Sequence, residues 1–355
     1  MYRRFQLVLM VNHACNLRCA YCYTGEKFSR KMPEDLARKS IDRALASTES
    51  GGVLELGFFG GEPLIEAPLI AALIEYAQLH AARRGIRTEL SVTTNGTLAS
   101  GAAWDVMMRA DLSLAVSHDG VTAVHDRLRP MVNGRGSSAV VESTLKRLID
   151  AGKEFCVIMV VRPDNLGDLP AGIEYLRSLG VRRIEPSLDL WTRWSRDDIH
   201  QLEIIVARCA RIWSAGLPVH SISWFDEKTA ELMRIPKTSE TARCGFGDGQ
   251  IAVAPSGNLY PCERLIGEDR VDNPSRLCGH ASEGSDFLNF VPAPQRSHQE
   301  CDACSMNSLC NTICRCSNLV RSGDVSKPDE LLCVWNQACL TATAEALAAM
   351  TPAEL

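Results

Sequence analysis

Fifteen cysteines in two groups of fixed spacing constrain this chain more than any other feature. Three fall within eight residues, as Cys15-x3-Cys19-x2-Cys22, and ten lie between Cys244 and Cys339. Only Cys156 and Cys209 separate the groups. Fifteen thiols in 355 residues are too dilute for a small disulfide scaffold, which needs roughly 8–10% cysteine in a short chain. The apolar run at 5–11 is short for a secretory signal and has no small-residue cleavage site after it. No stretch approaches the ~18 apolar residues of a membrane span. A cytoplasmic chain is expected, and in a reducing compartment its cysteines serve as metal ligands or catalytic thiols.

The rest of the composition is ordinary. Hydrophobic residues make up 46% and charged residues 23%, which excludes global disorder. Thirty-eight basic residues against 43 acidic ones give a net charge of −5, and no excess of positive charge argues for a nucleic-acid surface. The length suits one large or two ordinary domains.

Apolar runs at 5–11, 53–59, 88–94, 112–117, 155–161 and 181–187 read as strands. Helical stretches at 33–47, 67–84, 101–109, 139–151, 168–179 and 196–215 follow them in turn. In one, Val141, Leu145, Leu148 and Ile149 share a face. Six strand–helix repeats imply an α/β fold with parallel strands, as a partial barrel or a doubly wound sheet, and ligands gather at the carboxyl ends of such strands. Beyond a boundary near 235–243 the helical signal weakens and cysteines crowd. There, 250–254 and 259–262 read as a hairpin with little apolar core, held by bound metal. The segment from 331 to 349 reads as a helix. Trp191, Trp194 and Trp224 gather near the last barrel segment, as core or as the lining of a cleft.

The first cysteine group directly follows the first strand. Structural zinc wants four ligands, and only His13 is near enough to add one. Three thiolates on an iron–sulfur cube instead leave one iron without a protein ligand. Here the chain resembles a known family. CNLRCAYC at 15–22, with Tyr21 before the third Cys, resembles the signature of radical S-adenosylmethionine enzymes. GFFGGEP at 57–63, VTTNGTL at 92–98 and AVSHDG at 115–120 match further motifs of that family in order.

The resemblance implies a partial (β/α)6 barrel over 1–235. It implies that Cys15, Cys19 and Cys22 hold a 4Fe–4S cluster whose open iron binds S-adenosylmethionine. Reductive cleavage would then release a 5′-deoxyadenosyl radical that takes a hydrogen from substrate. Gly60 and Gly61 would let the backbone approach the cofactor. Glu62, before Pro63, would accept from its ammonium group. Asn95 and Ser117 would meet its ribose or carboxylate; Arg129 would meet its carboxylate or else be an ordinary solvated surface residue.

The second group, Cys244-x12-Gly257-x4-Cys262, Cys301-x2-Cys304-x5-Cys310-x3-Cys314 and Cys333, resembles the SPASM extension of the same enzymes. By resemblance, 236–340 form that domain and 341–355 a helical tail. Two auxiliary 4Fe–4S clusters are implied, one on Cys244, Cys262 and Cys314, the other on Cys301, Cys304, Cys310 and Cys333. The first set lacks a fourth ligand. An open iron, ligation by Cys278 and an unsuspected ligand stand as alternatives, with Cys316 and Cys339 expected to be unliganded. In the sulfatase-maturing branch an Asp at the position after the second ligand acts as base. Glu263 stands there, as a base one methylene longer or as an ordinary surface carboxylate.

The function implied is modification of a ribosomally synthesised peptide, by crosslinking or side-chain oxidation. Formylglycine formation in a sulfatase, or oxidation or deoxygenation of a small molecule, are the alternatives. An electron donor such as flavodoxin or ferredoxin is implied. The chain opens on the first barrel strand, so peptide recognition is expected from a separate protein or from the core itself.

Overall fold

Apolar runs and amphipathic stretches resolve into parallel strands with helical crossovers in a computed structural model describing residues 1–233, 244–290, 298–310 and 314–350. Strands β1 (Tyr2–Asn12), β2 (Thr48–Gly60), β3 (Arg87–Thr94), β4 (Leu112–Ser117), β5 (Phe155–Val161) and β6 (Arg183–Leu188) lie side by side in sequence order. A doubly wound sheet would reverse its order at a switch point. Sequential order with right-handed crossovers instead puts the helices on one face and makes the other the interior of an open barrel. The barrel reading therefore holds over the doubly wound one.

The outer layer is α1 (Glu34–Ser47), α2 (Ala67–Arg83), α3 (Gly101–Met108), α4 (Thr122–Leu128), α5 (Ser138–Asp150), α6 (Leu169–Ser178), α7 (Arg196–Ser214) and α8 (Ser223–Leu232). α7 begins at a capping box, with Ser195 and Asp198 bonding reciprocally, and buries Ile199, Leu202, Ile205, Val206, Cys209 and Trp213. Its Cys209 is core. α4 and α8 carry no readable signal in the sequence. α4 has seven residues, too few for a period to show. On α8 the buried face includes Lys228, which pairs with Glu231 at 3.0 Å.

β1 is buried on both sides, as an interior parallel strand should be. Leu7, Leu9 and Val11 pack under the helices, while Val8 and Met10 meet Ala252, Ala254, Tyr260 and Ile266 inside the barrel. Those partners come from the expected hairpin. After a two-residue edge strand β7 (Ser221–Ile222), β8 (Gln250–Val253) pairs parallel with β1, Gln6 opposite Gln250 and Leu9 opposite Val253. β9 (Leu259–Tyr260) returns antiparallel to β8.

The expectation of little apolar core at this hairpin is corrected: Ile251, Ala252, Val253, Leu259 and Tyr260 are all 0% exposed. The core comes from the free edge of β1, a contact some 240 residues distant that local pattern does not reveal. Beyond it lie α9 (Gln299–Asp302), α10 (Arg315–Ser322) and α11 (Glu330–Ala348). α11 packs on α7 and α8 and runs unbroken through position 340. The boundary expected near 235–243 lies outside the described residues, apart from the barrel that precedes it. Among the described residues no helix is long and apolar enough to cross a membrane.

Ile251→Ala tests the hairpin as core. We expect about 2–5 kcal/mol of lost stability, read as a lower urea midpoint. A loss under about 1 kcal/mol would mean that the hairpin is held by something other than burial.

Candidate active site

β1 ends at Asn12 and the chain turns into the loop of Cys15, Cys19 and Cys22. Backbone bonds to the segment after α4 hold this loop: Arg18 N–H donates to Pro130 O at 2.8 Å and Ala20 N–H to Leu128 O at 2.9 Å. The three thiols feel one another's charge. Burial raises Cys15, and pushes Cys19 up to about 11. At Cys22 burial acts upward, but the ammonium of Lys27, which donates to its Sγ at 2.9 Å, and hydrogen bonds from Thr24 together outweigh it and the thiol is lowered.

The next strand end explains its glycines. A Cβ on Gly60 would stand 2.6 Å from Asn12 O, and one on Gly61 2.2 Å from Ala14 O. Both glycines line the cavity, and their smallness also admits the backbone that leads into the cysteine loop. Gly61 N–H donates to Asn12 O and Glu62 N–H to Ala14 O, tying the two strand ends together. Pro63 opens the following turn, which Glu62 caps.

Glu62 is 0% exposed. Its carboxylate accepts from Leu64 N–H at 3.0 Å, the Thr94 hydroxyl at 2.7 Å and Asn95 N–H at 2.7 Å. Burial raises its carboxyl above the usual range while these bonds pull it back. A carboxylate has about four acceptor positions, so one is left for a further donor. The Asn95 amide is directed to the cysteine loop, donating to Asn16 Oδ1 at 2.9 Å. Ser117 ends β4 with its side chain on the same cavity.

Arg129 is only 6% exposed, which excludes the solvated alternative. It donates to the Tyr21 hydroxyl at 2.5 Å, and that hydroxyl donates to Asp119 Oδ2 at 2.5 Å. Asp119 also accepts from Val160 N–H at 3.0 Å. Arg129 Nε is buried without a hydrogen-bond partner. A buried donor left unpaired is costly, so this nitrogen suits an incoming acceptor.

These groups border one cavity of about 320 Å³. Its donor set fits the groups implied by resemblance: soft thiolates for iron, a spare carboxylate position for an ammonium, and an orphaned guanidinium N–H for a carboxylate. At its mouth Tyr23 stacks between Phe59, at 5.9 Å, and Trp191, at 4.8 Å. Trp191 is 44% exposed, whereas Trp194 and Trp224 are buried. Trp224 instead faces a second cavity of about 390 Å³ between β6, α8 and α10. Arg264 borders both cavities, and Glu263 borders the first.

Glu263 Oε2 lies 3.5 Å from Cys262 Sγ. Around it, Cys244 feels the charge of Cys314 and Cys316. Cys333 feels Cys301, Cys304 and Cys310. Cys278 is exposed, and Cys339 is on the buried face of α11. Among the described residues no group of three or more His, Cys, Asp or Glu forms a single-ion site. Sequence reasoning quoted the motif holding Asp119 without giving it a role. Lys27, Tyr23 and Arg264 carried no signal, because each acts through a neighbour that only folding supplies.

The Radical SAM superfamily matches residues 9–176. An uncharacterized protein of Methanocaldococcus jannaschii is 30% identical over 184 residues, which are 52% of this chain and 62% of that protein. The serine-type anaerobic sulfatase-maturating enzyme of Klebsiella aerogenes is 26% identical over 335 residues, 87% of this chain and 78% of that enzyme. Among solved structures, native anSMEcpe with bound AdoMet and Kp18Cys peptide superposes with a TM-score of 0.79 at 18% identity. The match covers 97% of this chain and 98% of that one, and is a likeness of fold.

Glu62→Gln tests the link between strand ends. An amide offers one acceptor oxygen where three donors converge, so we expect about 1–3 kcal/mol of lost stability. An unchanged unfolding midpoint would show that the carboxylate does not hold these ends.

Proposed function

Because residues 9–176 match the Radical SAM superfamily, we propose that this enzyme reductively cleaves S-adenosylmethionine and takes a hydrogen atom from a side chain of a peptide. The setting is maturation of a ribosomally synthesised peptide, by a crosslink or by side-chain oxidation. The observation that carries this reading is one cavity shared by two unlike sets of groups. Cys15, Cys19, Cys22, Glu62 and Arg129 line it, and so does Glu263, which adjoins Cys262 of the second thiol array. When bound, a 4Fe–4S cluster and S-adenosylmethionine supply one-electron hydrogen abstraction.

The chain's own residues do the rest. Cys15, Cys19 and Cys22 would hold that cluster. Glu62 receives the ammonium of the methionine moiety and Arg129 Nε its carboxylate, with Tyr21 and Asp119 fixing the guanidinium. Ser117, and Asn95 if its amide turns from the cysteine loop, would meet the ribose or carboxylate from the cavity they both line. The Tyr23–Trp191 stack narrows the mouth and limits water. Glu263 holds the proton released as the substrate is oxidised. Cys244, Cys262 and Cys314, and separately Cys301, Cys304, Cys310 and Cys333, would hold two further 4Fe–4S clusters as one-electron acceptors. A flavodoxin- or ferredoxin-type donor supplies electrons, and the peptide is recognised by the core itself or by a separate protein.

A second reading, formylglycine formation in a sulfatase, is favoured by the Klebsiella aerogenes relative, whose similarity runs along 87% of this chain. A sulfatase-motif peptide and candidate precursor peptides separate the two readings by mass. Loss of a hydrogen pair at a Ser of the sulfatase peptide, or at a Cys the same loss with its sulfur leaving as hydrogen sulfide and replaced by oxygen from water, supports the second; loss of a hydrogen pair or a crosslink in a precursor supports the first.

Anaerobically reconstituted protein should contain about twelve irons and twelve sulfides per chain, four of each per cubane. Cys15→Ala should lose about four irons and all 5′-deoxyadenosine formation. Zinc without sulfide would sink the reading.

Glu263→Gln separates abstraction from proton removal. It should still form 5′-deoxyadenosine in the presence of substrate, while product falls by about 10²-fold or more. Equal loss of both would remove the base role.

A further inference from the structure

We infer that Cys316 is the fourth thiolate of the first auxiliary cluster, completing a set with Cys244, Cys262 and Cys314. This rests on the reading that the second array holds iron–sulfur clusters. The resemblance supplies that cluster with three ligands, and the sequence left Cys316 outside the set. The fold brings it inside.

Of fifteen cysteines, three belong to the first loop and seven to the spaced array, which leaves five. Cys156 lies on β5 and donates to Leu114 O at 3.8 Å. Cys209 and Cys339 are 0% exposed in the helical layer, each within range of the other's charge and distant from the array's contacts. Cys278 is exposed, and among the described residues it makes no hydrogen bond to a thiol. Cys316 alone of the five touches the ligand set. It is 0% exposed and packs in one small buried cluster with Cys262 and Phe246, against which Cys244 lies.

The local electrostatics suit an anionic cluster. Cys314 is the N-cap of α10 and makes no side-chain cap bond, and Cys316 is the second residue of that helix. The first backbone N–H groups of a helix have no intrahelical acceptor, and their partial positive charge favours sulfur carrying negative charge. The Arg264 guanidinium stands within charge range of Cys262, Cys314 and Cys316. A fourth thiolate therefore enters a pocket already supplied with positive charge. With it in place every iron of this cluster has a protein ligand. Substrate is then held by the cavity walls, not by an iron–substrate bond.

The competing ligand is Glu263, whose carboxylate is the other group against Cys262. The test uses the full chain carrying Cys15→Ala, Cys19→Ala and Cys22→Ala, which removes the one cluster with an open iron. This parent should hold about eight irons and eight sulfides, and cyanide should leave its reduced EPR spectrum unchanged. Adding Cys316→Ala should cost roughly one to four irons and give the EPR signal of a three-iron cluster after oxidation. Cys316→Ser should keep more iron, with a shifted reduced spectrum. Cys278→Ala, the control, should match the parent in iron and in circular dichroism.

Full iron and an unshifted spectrum in Cys316→Ala would overturn the assignment. So would a cyanide-induced shift in the parent, or the same iron loss in Glu263→Gln with none in Cys316→Ala. A parent without iron or sulfide would instead fail at the earlier step and remove the auxiliary clusters altogether.

Discussion

The parallel pairing of β8 with β1 is the contact on which the rest depends. β1 carries the first cysteine loop on its carboxyl end, and through β8 it carries the hairpin that leads to Cys262, Glu263 and Arg264. A single strand therefore sets the relation between two thiol groups separated by more than two hundred residues. Because both faces of β1 are buried, a one-residue slip in this register would exchange interior for exterior side chains on the hairpin. The register is well determined for that reason, and so is the placement of Glu263 on the same cavity as Cys15, Cys19 and Cys22.

Around that strand the site is assembled from charges that would be costly singly. Glu62 and Asp119 are buried carboxylates, Arg129 is a buried guanidinium, and each is tied to neighbours by hydrogen bonds. The Tyr21 hydroxyl joins Arg129 to Asp119, so the residue before the third cysteine also aligns the cation beside the cluster loop. The unpaired Arg129 Nε and the free acceptor position on Glu62 are the two places where this network is incomplete. In a protein interior such gaps are exceptions that ask for a ligand.

Much of this was legible before any coordinates. Strands β4 and β5 lie at their expected bounds, because a run of alternating apolar residues needs no distant partner to be recognised. The cysteine spacings and the GGEP and TTNG segments named the chemistry, since they are local and their side chains act within a few residues of one another. Arg129 was ambiguous because burial is not a local property. The glycines of GGEP were read as small for a cofactor, and the fold adds a second neighbour, because the sequence cannot say that Ala14 O lies 2.2 Å from where a Cβ would stand.

What the sequence determined by itself was therefore the kind of chemistry and the alternation of elements, both written in short-range spacing. What only the tertiary structure decided was which distant groups meet. The hairpin's core lies on β1, and Arg264 lies between two cavities. Cys316 lies against Cys262, though 54 positions separate them. Helical and strand periods come from the geometry of one chain segment. These meetings come from burying apolar surface between segments that local pattern leaves unrelated.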